Sequence, residues 1–220
     1  GIEQSCNPYF WALYRDLLQQ DGYEDGHVHF KEHYNDWREI IASFGLGERF
    51  ANTDVREQAK GYLPTTEFYN RIYGQKGWKA ITIRSLSIGQ GEILVTPLQL
   101  ANQAAAIANK GYYITPHFNR NDSMKSDIHT TLVDSIHFDV VHRGMERVMT
   151  NGTGRWYNIP ELQMCGKTGT VQNPHGEDHA LFIGFAPKDN PQIAVAVAVE
   201  NAGFGATWAC PMATLVMEQY

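Results

Sequence analysis

Residues 164–172 read MCGKTGTVQ, residues 180–185 read ALFIGF and residues 193–200 read IAVAVAVE. Each run is as short as a typical strand, and turn-forming residues lie between the runs, at 173–176 (NPHG) and 187–191 (PKDNP). Because both connections are short, the sequence predicts an antiparallel meander of three strands. The third run is apolar at every position up to its final glutamate, so both faces of the predicted sheet should be covered.

Helical patterns fill much of the chain before these strands. Apolar residues recur at a spacing of three and four over residues 8–20, 29–44 and 138–149. A further alanine-rich helix is marked at its start by Thr96 and Gln99, which form a capping box around Pro97, and at its end by Gly111. Residues 45–80 contain glycine, proline and asparagine at short intervals, and we expect mostly loop there.

The end of the chain predicts a helix at about 207–220 that covers one face of the sheet. Trp208, Leu215 and Val216 are the apolar residues available for its buried side. Residues 112–115 are compatible with a short strand, and residues 119–125 with a charged turn. We therefore expect an α/β chain of the α+β type, with an antiparallel sheet flanked by helices in one domain.

Composition excludes several classes of function. The chain of 220 residues has 18 basic and 24 acidic residues and no run of Lys and Arg, so nucleic acid is not expected as a partner. No stretch approaches the roughly 20 apolar residues of a membrane span, and we expect soluble behaviour. Cys6, Cys165 and Cys210 lack the spacing of a metal site and are interpreted as small buried hydrophobes.

Three histidines at positions 27, 29 and 33 are the one group whose spacing suits a metal. Nothing in the surrounding sequence completes a ligand set. We therefore expect neither a metal nor a cofactor.

Three short motifs contain residues suited to acyl-transfer chemistry. They are residues 5–7 (SCN), residues 87–91 (SIGQG) and residues 167–170 (KTGT). Taken singly, each has an ordinary structural interpretation. Asn7 followed by Pro8 can simply start a helix, and Gly169 can simply mark a bulge in a strand. In this order, however, the motifs resemble the Ser-x-Asn and Lys-Thr-Gly elements of the serine enzymes that act on D-Ala-D-Ala peptides and β-lactams.

The resemblance extends to residues 83–92, 115–117 and 199–205, which are similar to the class B penicillin-binding transpeptidases of cell elongation. It covers most of residues 1–18 and 60–220 and is weakest over 21–58. It implies the C-terminal part of the penicillin-binding and β-lactamase-like transpeptidase fold. It also implies a D-Ala-D-Ala stem peptide as substrate, β-lactams as inhibitors, partners in a cell-elongation complex, and a periplasmic domain of an inner-membrane protein.

The resemblance also implies a role for each motif residue. Ser5 would relay a proton between nucleophile and leaving group, and Asn7 would orient the substrate amide. Lys167 would supply positive potential, and the Thr168 hydroxyl would bind the substrate carboxylate. Gly169 would allow close approach of the backbone, and the N–H of Thr170 would be one of two oxyanion donors. The candidate site therefore consists of Ser5, Asn7, Lys167, Thr168, Gly169 and Thr170. We expect Ser5 and Lys167 to lie within about 10 Å of each other.

The chain departs from the family pattern at the nucleophile. None of its eight lysines has a serine three residues before it, so the Ser-x-x-Lys motif is absent from the 220 residues. In the family this motif precedes Ser-x-Asn, and we therefore interpret residues 1–220 as a partial transpeptidase domain. We expect this chain alone to be inactive, to expose apolar surface and to self-associate.

Two other functions stay open at the level of sequence. One is a related serine D,D-carboxypeptidase or β-lactamase, against which residues 89–91 and 199–205 favour a transpeptidase. The other is a non-catalytic binding module of the same fold. Retention of Ser5, Asn7 and Lys167 counts against that module, because binding alone does not require a proton relay.

Overall fold

The computed structural model describes residues 1–20, 26–119 and 127–220. Its helices are α1 (Asn7–Leu18), α2 (Gly26–Ala42), α3 (Thr66–Tyr73), α4 (Pro97–Ala108), α5 (Phe138–Thr150) and α6 (Ala209–Gln219). Its strands are β1 (Tyr112–Ile114), β2 (Ile128–Thr130), β3 (Cys165–Val171), β4 (His179–Ala186) and β5 (Ile193–Val199). Of the predicted turn at 119–125, all but Asn119 lies outside the described residues.

Strands β3, β4 and β5 form the predicted antiparallel meander, in the order β3-β4-β5. Phe182 of β4 lies opposite Thr168 of β3 and Val197 of β5, whereas Ile183 lies opposite Lys167 and Ala196. Because side chains alternate along a strand, these two sets occupy opposite faces of the sheet. The predicted combination of antiparallel sheet and flanking helices is confirmed.

Helices α5 and α6 cover the face that contains Phe182. The core there is tightly closed and consists of Val148, Met149, Met164, Ala180, Phe182, Ala186, Val195, Ala209, Cys210, Ala213 and Met217. The predicted buried side of α6 is wrong, since Trp208, Leu215 and Val216 are 49%, 63% and 51% exposed. The helix instead turns Ala209, Cys210 and Ala213 to the sheet, because small side chains let its backbone approach the strands closely.

Helix α4 packs on the opposite face, against β4 and β5. Ala194 of β5 packs against the buried cluster that contains Ala108 of α4 and Phe185 of β4. The predicted capping box is present, with Thr96 and Gln99 bonded to each other's backbone N–H. Gln99 also donates to the carbonyl oxygens of Glu48 and Lys60, which ties the preceding loop to this helix.

Helix α3 lies inside the region predicted to be mostly loop. Thr65 caps its N-terminus by accepting from the Phe68 N–H at 3.2 Å, and Gly74 ends it with a φ of 78°. Tyr69 holds the helix in a buried aromatic cluster with Tyr14, Tyr34 and Trp78. The cap and the terminal glycine were visible in the sequence, but the helix is only 8 residues long and its stability depends on this packing.

The cysteines, the possible metal ligands and the possible membrane spans were also considered from the sequence. Cys6 is exposed, contrary to prediction, while Cys165 and Cys210 are buried. Within the ranges that the structure describes, no three His, Cys, Asp or Glu residues converge as metal ligands, and no helix has the length and apolarity needed to cross a bilayer. The side chain of His27 lies outside the described part of the chain.

Candidate active site

The N-terminal turn presents Ser5 and Asn7 from the start of α1. Ser5 has a φ of 50°, a conformation that is rare for residues with a Cβ and that occurs frequently at functional sites. Backbone bonds from Ser5 to Ile2 (3.2 Å) and from Cys6 to Gly1 (3.0 Å) hold the turn. The N-cap residue is Cys6 and not Asn7, and no side chain caps the helix. The exposed side chain of Asn7 is therefore not used to start α1.

Strand β3 presents its backbone at one edge of the sheet. The carbonyl oxygen of Thr170 accepts from Gln90 Nε2 at 3.1 Å, and that of Thr168 accepts from Lys167 Nζ at 2.6 Å. These oxygens are reached by side chains, so they point away from β4. In a strand, the N–H and C=O of one residue point to the same side, and the N–H of Thr170 therefore also points away from β4. This is the orientation that an oxyanion donor requires.

A close backbone approach fixes the loop after β5 against this strand. A Cβ on Gly205 would lie 2.0 Å from the carbonyl oxygen of Gly169, so only glycine fits there. The Gly205 N–H donates to Thr170 Oγ1 at 3.3 Å. The loop therefore restrains Thr170, whose N–H points away from β4.

Lys167 connects the strand to the N-terminal turn. Its Nζ donates a hydrogen bond to Ser5 Oγ, although the two residues are 162 positions apart in the sequence. Desolvation on burial lowers the pKa of Lys167 to about 8. Among the described residues, no carboxylate forms an ion pair with Lys167, so its positive charge is available to an anionic ligand.

A cleft of about 740 Å³ brings these groups together. All six residues singled out from the sequence line it: Ser5, Asn7, Lys167, Thr168, Gly169 and Thr170. The cleft thus contains a hydroxyl held by an ammonium group, an exposed amide, and backbone donors at a strand edge. The arrangement can bind an extended peptide that has a carboxylate. The catalytic role of each residue stays a prediction.

Comparison with known proteins decides the family. Residues 1–218 match the family described as the penicillin binding protein transpeptidase domain. This chain belongs to that family. The peptidoglycan D,D-transpeptidases MrdA of Acinetobacter baumannii and Haemophilus influenzae are each 32% identical to it, over 93% and 82% of the chain. Each alignment covers 32% of the relative, so the chain spans about a third of the length of these proteins.

Solved structures agree with this assignment. The crystal structure of Pseudomonas aeruginosa PBP2 in complex with WCK 5153 matches 96% of the chain and 44% of its own length, at 34% identity and a TM-score of 0.77. A peptidoglycan synthase complex that coordinates polymerization and crosslinking contains a chain that matches all of this one, at 27% identity and a TM-score of 0.77. The predicted resemblance is therefore confirmed.

Several residues that line this transpeptidase domain cleft were not identified from the sequence, among them Thr153, Gln90 and Phe204. Thr153 lies in the loop after α5, with its hydroxyl 2.7 Å from that of Thr168. Gln90 contributes the bond to Thr170, and Phe204, which is 70% exposed, stands at the side of the cleft. Gln90 lies in a motif that the sequence had marked. Thr153 could not be found in this way, because nothing in the local sequence shows that its hydroxyl reaches β3.

An apolar groove of about 520 Å³ adjoins the cleft. The cleft and the groove share Phe10, Ser87 and Gln103 as lining residues. Further along, the groove is lined by Leu13, Tyr14, Leu17, Trp37, Ile41, Leu46, Leu86, Ile93, Val95, Leu100 and Leu181. Leu13 and Leu17 of α1 are 55% and 41% exposed. Exposing this apolar groove to water is unfavourable, because its lining side chains gain nothing from contact with water.

Proposed function

We propose that this chain supplies the substrate-binding part of a D,D-transpeptidase that cross-links peptidoglycan stem peptides through a serine acyl-enzyme. One observation carries the proposal, namely the convergence of the Ser-x-Asn turn and the Lys-Thr-Gly strand on one cleft, with Lys167 bonded to Ser5. The family membership of the chain supports this function.

The proposed reaction has two steps, acylation of the serine and transfer of the acyl group to a second stem peptide. A serine hydroxyl attacks the carbonyl of the penultimate D-Ala, an ester forms, and the terminal D-Ala leaves as an amine that takes a proton through Ser5. The amine of a second stem peptide then attacks the ester, a new amide forms, and the serine regains its proton. Asn7 orients the substrate amide, and the Thr170 N–H stabilises the oxyanion in both steps.

In this proposal, residues of strand β3 bind the terminal carboxylate of the substrate. The Lys167 ammonium is desolvated and has no carboxylate partner among the described residues, so an incoming carboxylate gains more from it than from a surface lysine. The Thr168 hydroxyl gives a directed hydrogen bond to the same group. Gly169 keeps this part of the strand clear for the peptide backbone.

No Ser-x-x-Lys occurs in the 220 residues, and we propose that a segment outside them supplies the attacking serine and its lysine base. We propose that the segment that contains them packs into the apolar groove, as an amphipathic helix whose serine reaches the adjoining cleft. The groove supports this assignment because it is apolar, is lined by residues of α1, α2 and α4, and shares Phe10 with the cleft that contains Ser5 and Asn7.

Two observations bear on the alternative functions. A β-lactamase or carboxypeptidase would use the same cleft, but the named relatives are D,D-transpeptidases. A binding module would not need a serine placed as a proton relay beside Lys167, because binding alone requires no proton transfer. We therefore favour the transpeptidase.

The wider setting is also proposed from the relatives. One similar chain belongs to a peptidoglycan synthase complex that coordinates polymerization and crosslinking, so we infer an elongation-complex partner for the whole protein. A substrate in the cell wall places the cleft on the periplasmic side of the inner membrane. β-Lactams are the expected inhibitors, because they share the carboxylate and the reactive carbonyl of the substrate.

Covalent labelling tests the proposal. The longest natural polypeptide that contains residues 1–220 is incubated with a fluorescent penicillin and run on a denaturing gel. We expect a stoichiometric band that is lost in Ser5→Ala and Lys167→Ala and kept in Ser135→Ala, whose serine is exposed and outside the cleft. We expect no band from the 220-residue chain by itself. A band there would show that one of its own hydroxyls attacks, with Ser5 the first suspect.

A further inference from the structure

The loop after α5 brings a second hydroxyl to the strand that binds the carboxylate. Thr153 Oγ1 lies 2.7 Å from Thr168 Oγ1, and both residues line the cleft. Apart from this mutual bond, no side-chain hydrogen bond is found for either hydroxyl within the described ranges. The two hydroxyls therefore bond to each other, and their remaining hydrogen-bonding capacity faces the cleft.

The loop holds Thr153 firmly in this position. The N–H groups of Gly152 and Gly154 donate to the carbonyl oxygens of Arg147 and Val148 at 2.7 and 2.9 Å, which closes the end of α5. A Cβ on Gly152 would lie 2.2 Å from the carbonyl oxygen of Glu3, so this loop is also pressed against the turn that contains Ser5. A rigid support of this kind is what a positioned hydroxyl requires.

The direction of the hydrogen bond between Thr153 and Thr168 determines whether Thr168 can also donate to a ligand. Each threonine hydroxyl has one hydrogen to donate. If Thr168 donates to Thr153, it has none left for a carboxylate, whereas if Thr153 donates to Thr168, the Thr168 hydrogen is free to point into the cleft. A bound anion favours the second arrangement, because both O–H dipoles then point toward the negative charge and reinforce each other.

We propose that Thr153 is a positioning residue for substrate recognition: it donates to Thr168 and thereby directs the Thr168 hydroxyl at the terminal carboxylate of the D-Ala-D-Ala peptide. The inference rests on the proposed function, since it assumes that Thr168 binds this carboxylate. It adds a residue whose effect is confined to ligands that have a carboxylate. A merely structural Thr153 would weaken the binding of every ligand of the cleft equally.

The test compares two probes that differ only at this group. N-acetyl-D-Ala-D-Ala and N-acetyl-D-Ala-D-alaninamide are titrated by ligand-observed NMR into the longest natural polypeptide that contains residues 1–220. In the wild type the acid should bind more tightly than the amide. Thr153→Val keeps the shape but removes the hydroxyl, and we expect it to reduce this preference by about tenfold, while Thr153→Ser restores it to within about twofold. Thr150→Val, at the exposed end of α5, is the matched control and should leave the preference unchanged.

Each outcome has a separate meaning. An unchanged preference in Thr153→Val, or an equal weakening of both peptides, overturns the inference and leaves the proposed function standing. A failure of Thr153→Ser to recover the preference also overturns it, because the serine retains the donor. A wild-type protein that shows no preference, or binds neither peptide, refutes carboxylate recognition by this cleft and therefore both proposals. Thermal unfolding of the three variants shows whether any loss comes from a change in fold.

Discussion

The two faces of the β3-β4-β5 sheet are covered to different degrees. On one face, Phe182 and Val195 are sealed beneath α6, with Ala209 and Ala213 completely buried. On the other face, α4 covers β4 and β5, but Leu181 lines the apolar groove and Lys167 lines the cleft. The face that contains Phe182 is therefore closed except at Thr168 of β3, which lines the cleft, whereas the face that contains Lys167 is left partly open at Lys167 of β3 and Leu181 of β4.

The difference shows how a small set of strands can serve both stability and the proposed binding. A close-packed face gives the sheet a fixed geometry, and this geometry places the edge of β3 where Thr170 can face a ligand. The open face and the adjoining edge of β3 have the groups that tight packing would exclude, namely a desolvated ammonium on the face and backbone donors that point away from β4 at the edge. The proposed site lies where burial is incomplete.

The largest expected effect comes from removing the polar contact on the open face. In the longest natural polypeptide that contains residues 1–220, Lys167→Ala and Ser5→Ala should each lower the rate of acylation by a fluorescent penicillin about 10³-fold, because general acid–base steps contribute 10²–10⁴-fold. Stopped-time gel fluorescence measures this rate. Variants that label at the wild-type rate would show that the open face is not the reaction site.

Neighbouring residues on the two faces give a direct comparison of stability. Phe182→Ala removes a ring that is 1% exposed and should lower the free energy of unfolding by about 3–5 kcal/mol. Leu181→Ala, one residue away, removes a side chain that lines the groove and should cost clearly less, below about 2 kcal/mol, because no closed cavity is left. Urea unfolding followed by circular dichroism provides both values. Equal losses would contradict the distinction between a sealed and an open face.

The charge on the open face should depend on pH. The pKa of Lys167 is lowered to about 8 by burial, so its positive charge is present below pH 8 and is lost as the pH rises through that value. Binding of N-acetyl-D-Ala-D-Ala should therefore weaken by up to about tenfold between pH 7 and 9, while the neutral amide is unaffected. NMR titration across this range, with Lys167→Arg as a variant that stays charged, checks the prediction. An acid-to-amide preference that is constant over the range would rule out Lys167 as the cation.

The smallest expected effect concerns association of the chain. The groove should promote weak self-association of the 220-residue chain, and Leu13→Asp combined with Leu17→Asp should reduce it severalfold. Light scattering over a concentration series measures this change. Leu215→Asp, on the exposed side of α6, is the comparison variant. If this variant disperses the chain and the groove variants do not, the associating surface is the exposed side of α6 instead.

The sequence by itself determined the elements that depend on local periodicity and turn chemistry. The meander, the capped start of α4 and the order of the motifs were all readable, because strands, caps and turns are specified by residues within a few positions of each other. The family resemblance was readable for the same reason, since it depends on short runs such as residues 167–170.

Only the tertiary structure decided which residues face each other across the fold. It turned Ala209 and Ala213 of α6 inward and left Trp208 outside, because the distance between helix and sheet selects side chains by size as well as by apolarity. It formed α3 through aromatic packing, and it placed Thr153 beside Thr168 and Lys167 beside Ser5. These contacts join residues from separate elements, so their geometry exists only once the chain has folded, and no local pattern encodes them.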